Sequence, residues 1–290
     1  MPTCGDAVKG ARSNTWGSED ARANRRMRIA GMQKLTLLDY PGLTAATVFT
    51  PGCNLRCPFC HNGELVTAGD AFSEEGSEPA ESASAPFPFS EPTTDEVLSF
   101  LRTRHRLLDG VCISGGEPLL QPGLDDFCCA LHELGFAVKL DTNGTLPDRL
   151  RALLDAGRVD YVAMDVKNVP ERYAETTGCA DIDMDPVLES MRLLMAQDPA
   201  AGGVRYEFRT TVVRELHTRE DLVKLAYWIA DEAQSAMSPM CPPWFIQNFK
   251  DSDAVLAGEG TLHPWDEDDL RALLPELQAI LPTARLRGID

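Results

Sequence analysis

The feature that most constrains this chain is an alternation of short β-branched runs with amphipathic helical patterns. The strand candidates are "TAATVF" at 44–49, "GVCIS" at 110–114, "FAVKLDTN" at 136–143, "YVAMDVK" at 161–167, "YEFRTTVV" at 206–213 and "WFIQNF" at 244–249. Their apolar, β-branched character suits strands covered on both faces, as in a parallel sheet. Between them lie helix candidates. A capping box from Thr93 to Glu96 opens one that carries Val97, Phe100, Leu101 and Leu108 on one face. Leu150, Leu153 and Leu154 mark another, stopped by Gly157. Asp185 and Pro186 start a third, with Leu188, Met191 and Met195 inward. Leu222, Leu225, Ala226 and Ile229 line a fourth, and Leu270, Leu273, Leu274 and Leu277 a last one in which Pro275 is a candidate bend. Strand-then-helix repeats predict an α/β barrel or a doubly wound sheet. In either, working residues gather at the C-terminal ends of the strands.

Two stretches interrupt this pattern. Residues 1–28 are polar and lack periodicity, which predicts a flexible extension ahead of one domain at 29–290. Residues 67–94, rich in Ser, Pro, Ala and Glu, read as a low-complexity acidic insertion within that domain. The net charge of -18 repels a phosphate backbone, so nucleic acid is not an expected partner. No apolar run approaches the roughly 20 residues a membrane helix requires, and the first 30 residues lack a secretion signal, which predicts a cytoplasmic protein with no membrane partner. In a reducing compartment the nine cysteines are not expected to form a disulfide framework. Six of them, Cys4, Cys112, Cys128, Cys129, Cys179 and Cys241, are scattered; Cys53, Cys57 and Cys60 are not.

The segments that follow the predicted strands are the ones rich in chemistry. The first strand leads into "CNLRCPFC", the second into "SGGEP" at 114–118, the third into "DTNG" at 141–144, and the fourth carries "DVK" at 165–167. Four readings of the cysteines compete. A structural zinc site needs four ligands, nominally the three thiols with His61, but adjacent Cys60 and His61 rarely both aim inward. A thioredoxin-like dithiol at 57–60 leaves Cys53 without a role. "CPFCH" also satisfies the haem-attachment pattern, which normally requires export. An iron-sulfur cube uses all three thiols and leaves one iron open to bind and activate a further ligand.

The C-x3-C-x2-C spacing with Phe59 before the last Cys resembles the cluster motif of radical S-adenosylmethionine (SAM) enzymes. "SGGEP" is similar to the segment with which that superfamily holds the methionine amino group. With "MQKLTLLDYPG" upstream, "CHNGELV" downstream, "DTNG" and "MDVK", the pattern from about Gly31 to Phe249 resembles the activating enzymes of glycyl radical enzymes. Within that group it is most similar to anaerobic ribonucleoside-triphosphate reductase activating proteins, with pyruvate formate-lyase activating enzymes close behind.

The resemblance implies an α/β fold, a partial (β/α)6 TIM-like barrel. It implies one 4Fe-4S cluster on Cys53, Cys57 and Cys60, reductive cleavage of SAM, and a 5'-deoxyadenosyl radical that takes a hydrogen atom from a glycine of the partner. The expected partners are a glycyl radical enzyme and an electron donor such as flavodoxin or ferredoxin. The SAM contacts it implies are Phe59, His61, Gly115, Gly116, Glu117, Asp141, Thr142, Asn143, Asp165, Lys167 and Arg209. Glu117 either accepts from the ammonium or braces the turn. Arg209 either meets the cofactor or serves as a structural ion-pair partner. Asp141, Thr142 and Asp165 match positions that hold a monovalent cation in pyruvate formate-lyase activators. The Cys-free stretch 61–111 implies a single cluster. The alternatives are a pyruvate formate-lyase-type activase, a radical enzyme acting on a small molecule or an RNA base, and a zinc-stabilised binding module. The region beyond Phe249, with Trp265, carries no motif, and Gln247 and Trp244 are assigned to either a partner groove or the core.

Overall fold

The computed structural model describes residues 26–67 and 91–289; most of the 1–28 extension and of the 67–94 insertion lies outside them. Eight strands form one sheet in the order of the chain, β1 (Gly31–Thr36), β2 (Ala45–Thr50), β3 (Gly110–Gly115), β4 (Ala137–Thr142), β5 (Tyr161–Asp165), β6 (Arg205–Val212), β7 (Trp244–Asn248) and β8 (Ala284–Arg287). β1 is antiparallel to β2, and every later neighbour is parallel. The strand order never turns back on itself, which excludes a doubly wound sheet. Among the described residues β8 does not pair with β1, so the six strand-helix crossovers build a partial barrel.

The helices are α1 (Gly63–Thr67), α2 (Thr94–Arg102), α3 (Leu124–Glu133), α4 (Pro147–Asp155), α5 (Pro170–Thr177), α6 (Asp185–Met195), α7 (Arg219–Ser235) and α8 (Glu267–Ile280). They cover the outer face of the barrel, except for α1, which lies at the mouth of its cavity. The Thr93–Glu96 capping box forms as expected, with both reciprocal bonds present. α2 is shorter than its apolar spacing suggests: it ends at Arg102, and Leu108 is buried from the connection to β3. In α6, Met191 and Met195 are fully buried as expected, whereas in the first turn Val187 is fully buried and Leu188 only half-buried. α8 continues through Pro275. Met27 is 4% exposed and packs in the main core, so the chain is already built in at the end of the stretch read as an extension.

Strand pleating sends alternate residues to the helices and to the barrel lumen. Val48, Val111, Ile113, Val138, Leu140, Val162 and Met164 face outward into the main core. The lumen side is polar and paired. Near its lower end Glu207 is fully buried, accepts the Tyr161 hydroxyl at 2.7 Å, and takes both Arg287 guanidinium nitrogens at 2.6 and 2.7 Å. Arg287 also stacks on Phe245, with 3.8 Å to the ring centre. This bidentate pair ties the last strand, which is otherwise short and half-exposed, to β6.

Burial raises the Glu207 pKa, and Arg287 with Tyr161 more than reverses that, so the carboxyl stays ionised. Removing the cation strands a buried charge. Arg287→Met is expected to lose about 3 kcal/mol in urea unfolding, with most of it recovered in the double variant Glu207→Gln/Arg287→Met. A double variant no more stable than the single one would show that the pair is incidental.

Candidate active site

The C-terminal ends of β2 to β7 open on a cavity of about 410 Å³. This volume suits a small organic ligand. Cys53, Cys57 and Cys60 line one wall, Phe59 and Leu55 lie among them, and Asp141, Asp165, Lys167 and Arg209 line the other side.

The cysteine loop is held from several directions. At the end of β2, Gly52 accepts from Glu117 N–H at 2.8 Å, and Gly116 N–H reaches Thr50 O at 2.8 Å. A Cβ on Gly116 would lie 1.9 Å from Gly52 O, and Gly115 has φ +118. The Gly-Gly pair is thus required first by the contact between two backbones, an extra reason beyond ligand approach. On another side Arg56 N–H donates to Thr177 O at 2.9 Å, and a Cβ on Gly178 would sit 2.4 Å from Arg56 O.

The third clamp comes from the region beyond Phe249, which carries no recognisable motif. Leu256 N–H donates to Cys60 O at 3.0 Å, Ala257 N–H to Pro58 O at 2.9 Å, and Gly63 N–H to Ala254 O at 3.3 Å. Val255, Leu262 and Phe249 join Leu55, Cys57 and Phe59 in one apolar cluster. This strap fixes the loop by backbone pairing, which does not depend on side-chain type, so no motif marks it.

Burial opposes ionisation of all three free thiols. Burial pushes Cys53 up to about 11 and Cys57 up to about 12, and raises Cys60 as well. Cys53 Sγ accepts from Leu55 N–H at 3.4 Å and lies 3.8 Å from Asn143 Nδ2. Among the described residues no three His, Cys, Asp or Glu groups converge tightly enough to hold a single metal ion. That arrangement does not fit a tetrahedral zinc ion. Three thiols spread over one cavity wall suit a larger cluster.

Opposite them lies a chain of alternating charge. Arg209 donates from Nε to Asp165 at 2.9 Å and from NH1 to Asp141 at 3.1 Å. Lys167 Nζ reaches the other Asp165 oxygen at 2.8 Å, and Lys139 Nζ the other Asp141 oxygen. Burial alone would raise Asp141; Arg209 and Lys139 overcome it and hold the carboxyl at about 2. The same balance, with Arg209 and Lys167, lowers Asp165.

The expected SAM contacts are brought together with three adjustments. Glu117 does not line the cavity: it is 1% exposed and accepts Thr142 Oγ1 at 2.8 Å, Asn143 N–H at 2.7 Å and Leu119 N–H at 3.1 Å. It braces the turn, and burial pushes its pKa up to about 7. Thr142 turns its hydroxyl to Glu117, on the face away from Asp141, because neighbouring strand residues point to opposite sides. Thr142 still lines the cavity, with its hydroxyl committed to Glu117. His61 lines the cavity, but its ring packs on Phe249 at 5.3 Å and contacts Lys250 O. Asn62, Ser114, Thr211 and Gln247 line the cavity as well. Asn62 and Ser114 lie inside the quoted motifs "CHNGELV" and "SGGEP", which was a usable signal; Thr211 had none. Trp244 is fully buried and donates to Thr210, so it belongs to the core.

Comparison with known proteins follows the same lines. Residues 47–198 match the Radical SAM superfamily. A parallel partial barrel with three thiols at its C-terminal mouth is the arrangement of that class, and its cofactors are a 4Fe-4S cluster and SAM. A Methanocaldococcus jannaschii protein assigned to the glycyl-radical enzyme activating enzymes is 29% identical over 249 residues, 84% of this chain and 89% of that one. The pyruvate formate-lyase-activating enzyme of Clostridium pasteurianum is 30% identical over 206 residues, 69% of this chain and 74% of that one. The chain belongs to the radical SAM superfamily, in its group of glycyl-radical enzyme activating enzymes. Streptococcus suis SuiB shares the fold, with a TM-score of 0.54 at 16% identity over 82% of this chain and 48% of its own. Among the described residues no helix is long and apolar enough to cross a membrane.

Two outcomes test the site's supports. Val255→Asp, which places a charge in the apolar cluster beside the cysteine loop, should at least halve the iron retained after anaerobic desalting. Glu259→Ala should retain it fully; equal retention in both would show that the strap is not a clamp. His217 is 1% exposed, accepts Val213 N–H on Nδ1 at 3.1 Å and has Nε2 2.8 Å from Lys167 O. Burial lowers its pKa, so the unfolded chain takes up the proton first as pH falls. Its contribution is complete above about pH 6.5 and fades below. The melting temperature of His217→Asn should accordingly fall less than that of the natural chain between pH 7.5 and 5.5; parallel curves would remove His217 from the account.

Proposed function

We propose that this protein activates an anaerobic ribonucleoside-triphosphate reductase by generating a glycyl radical on it. The cluster is assigned to Cys53, Cys57 and Cys60, and SAM to the cavity beside them. The observation that supports the radical chemistry is the meeting, in one cavity, of a three-thiol wall with a paired cationic floor of Lys167 and Arg209, and the choice of the reductase rests on the resemblance carried by the motifs around it.

When bound, the cluster and SAM supply one-electron cleavage of a sulfonium-carbon bond and the oxidising power to remove a hydrogen atom. The chain supplies position. Lys167 and Arg209, fixed by Asp165 and Asp141, present charge to a ligand carboxylate. The backbone at Gly115 and Gly116 offers carbonyl oxygens to a ligand ammonium, with the turn braced from beneath by Glu117. Phe59, Leu55 and Val66 form an apolar wall that keeps water from the reacting centre. Asn143, tied to Asn54 at 2.9 Å and near Cys53 Sγ, joins the two halves.

A pyruvate formate-lyase-type target is the second reading, favoured by the 30% identity to the C. pasteurianum activating enzyme. An electron donor of the flavodoxin or ferredoxin kind completes either scheme. Cys53→Ala, Cys57→Ala and Cys60→Ala are each expected to lower reductive SAM cleavage at least a thousandfold, whereas Cys128→Ala, buried on the outer face, leaves it unchanged. Mixing the reduced protein with each candidate target should give a glycine-centred paramagnetic doublet with the reductase alone. A doublet on pyruvate formate-lyase instead would transfer the assignment to the second reading.

A further inference from the structure

We propose that Lys139 is a built-in counter-cation of the cavity, which takes the place of a bound monovalent metal ion so that the pocket holds its ligand without one. This rests on the assignment of SAM to the cavity.

Lys139 lies on β4, two residues before Asp141 and on the same lumen face, and is 1% exposed. Its ammonium meets Asp141, with Cys112 Sγ at 3.7 Å and the Tyr161 ring centre at 6.0 Å as its remaining surroundings. A lysine so thoroughly withdrawn from water is costly, and methionine would fill the same volume without that cost. The charge itself is what the position requires.

Counting charges around the cavity shows why. Asp39, Asp141 and Asp165 line it; Lys139, Lys167 and Arg209 pair with the last two, and Asp39 accepts from the Thr47 hydroxyl, which leaves three negative charges against three positive. Glu207 is matched separately by Arg287. The Asp141 and Asp165 oxygens are each met by a cationic nitrogen: Asp141 by Lys139 and Arg209, Asp165 by Arg209 and Lys167. A sodium or potassium ion needs oxygen ligands. Here it would have to displace an ammonium or a guanidinium to obtain them. Without the Lys139 charge, one carboxylate is in excess and an Asp141 oxygen faces the lumen unpaired, which is the composition of a site for a hard monovalent cation.

The test is equilibrium binding of SAM to anaerobically reconstituted holoprotein in choline, sodium or potassium chloride at one ionic strength. The natural chain should bind within twofold in all three salts. Lys139→Met should bind at least tenfold more weakly in choline and recover most of that in sodium or potassium, with a melting temperature that rises on the same exchange. Tighter binding by the natural chain in sodium or potassium, by tenfold or more, overturns the proposal even if the variant does not fold. A folded Lys139→Met that binds like the natural chain in choline overturns it too. Failure of iron-replete natural protein to bind SAM in any salt would instead overturn the assignment of the cavity, and this proposal with it.

Discussion

The close approach of Gly52 to Gly116 is the constraint on which the mouth of the barrel depends. β2 and β3 pair in register up to Thr50 and Gly115, and the two chains then leave the sheet in contact. Any side chain at 116 would force them apart, and with them the cysteine loop from the turn that follows β3. Glu117 then extends the link to the next strand by accepting from Thr142 and Asn143. Three consecutive strand ends are thus tied by backbone contacts and one buried carboxyl. The cavity shape follows from those ties before any ligand is considered.

Six of the seven parallel strands, β2 to β7, were legible because each is a short β-branched run ending in polar residues, and all six formed within a residue or two of their expected spans. β1 and β8 were not. "GMQKLT" alternates weakly and half of it is solvated, while "ARLR" is only four residues and carries two arginines. α3 escaped notice because "LDDFCCALHE" begins after a left-handed Gly123 and has no side-chain cap. α5 has a Pro start but mixed polarity. The cysteines, the Gly-Gly-Glu turn and the aspartates were visible because their chemistry survives out of context. Lys139 was not, since a lysine two residues before an aspartate reads as a solvated pair; only the pleat, which puts both inside the barrel, reveals its role.

The lumen shows how a polar interior is made tolerable. Barrels of this architecture commonly fill that space with branched apolar layers. Here Lys139, Asp141, Glu207, Arg209 and Arg287 occupy inward positions, and every charge has an opposite partner within hydrogen-bond reach. Desolvation opposes each of these groups, and the pairing outweighs it for Asp141, Asp165 and Glu207. Such networks specify geometry more than they stabilise, because any one partner removed leaves the next exposed to the full penalty. That property suits a surface that must hold a zwitterionic ligand at a fixed distance from a metal cluster.

The superfamily pattern covers residues 47–198 and stops before β6. Arg209, Thr211 and Gln247 and the strap at 254–257 lie beyond that superfamily pattern, although they complete the same cavity or hold its cysteine loop. The first part of the chain supplies the sulfur wall, both aspartates and Lys167. The last part supplies the guanidinium that joins the aspartates and the backbone that closes over Cys60. Because Arg209 binds Asp141 and Asp165 together, the position of β6 controls the spacing of β4 and β5 at the mouth. A shift there would move the floor relative to the thiols without touching any residue of the cysteine motif.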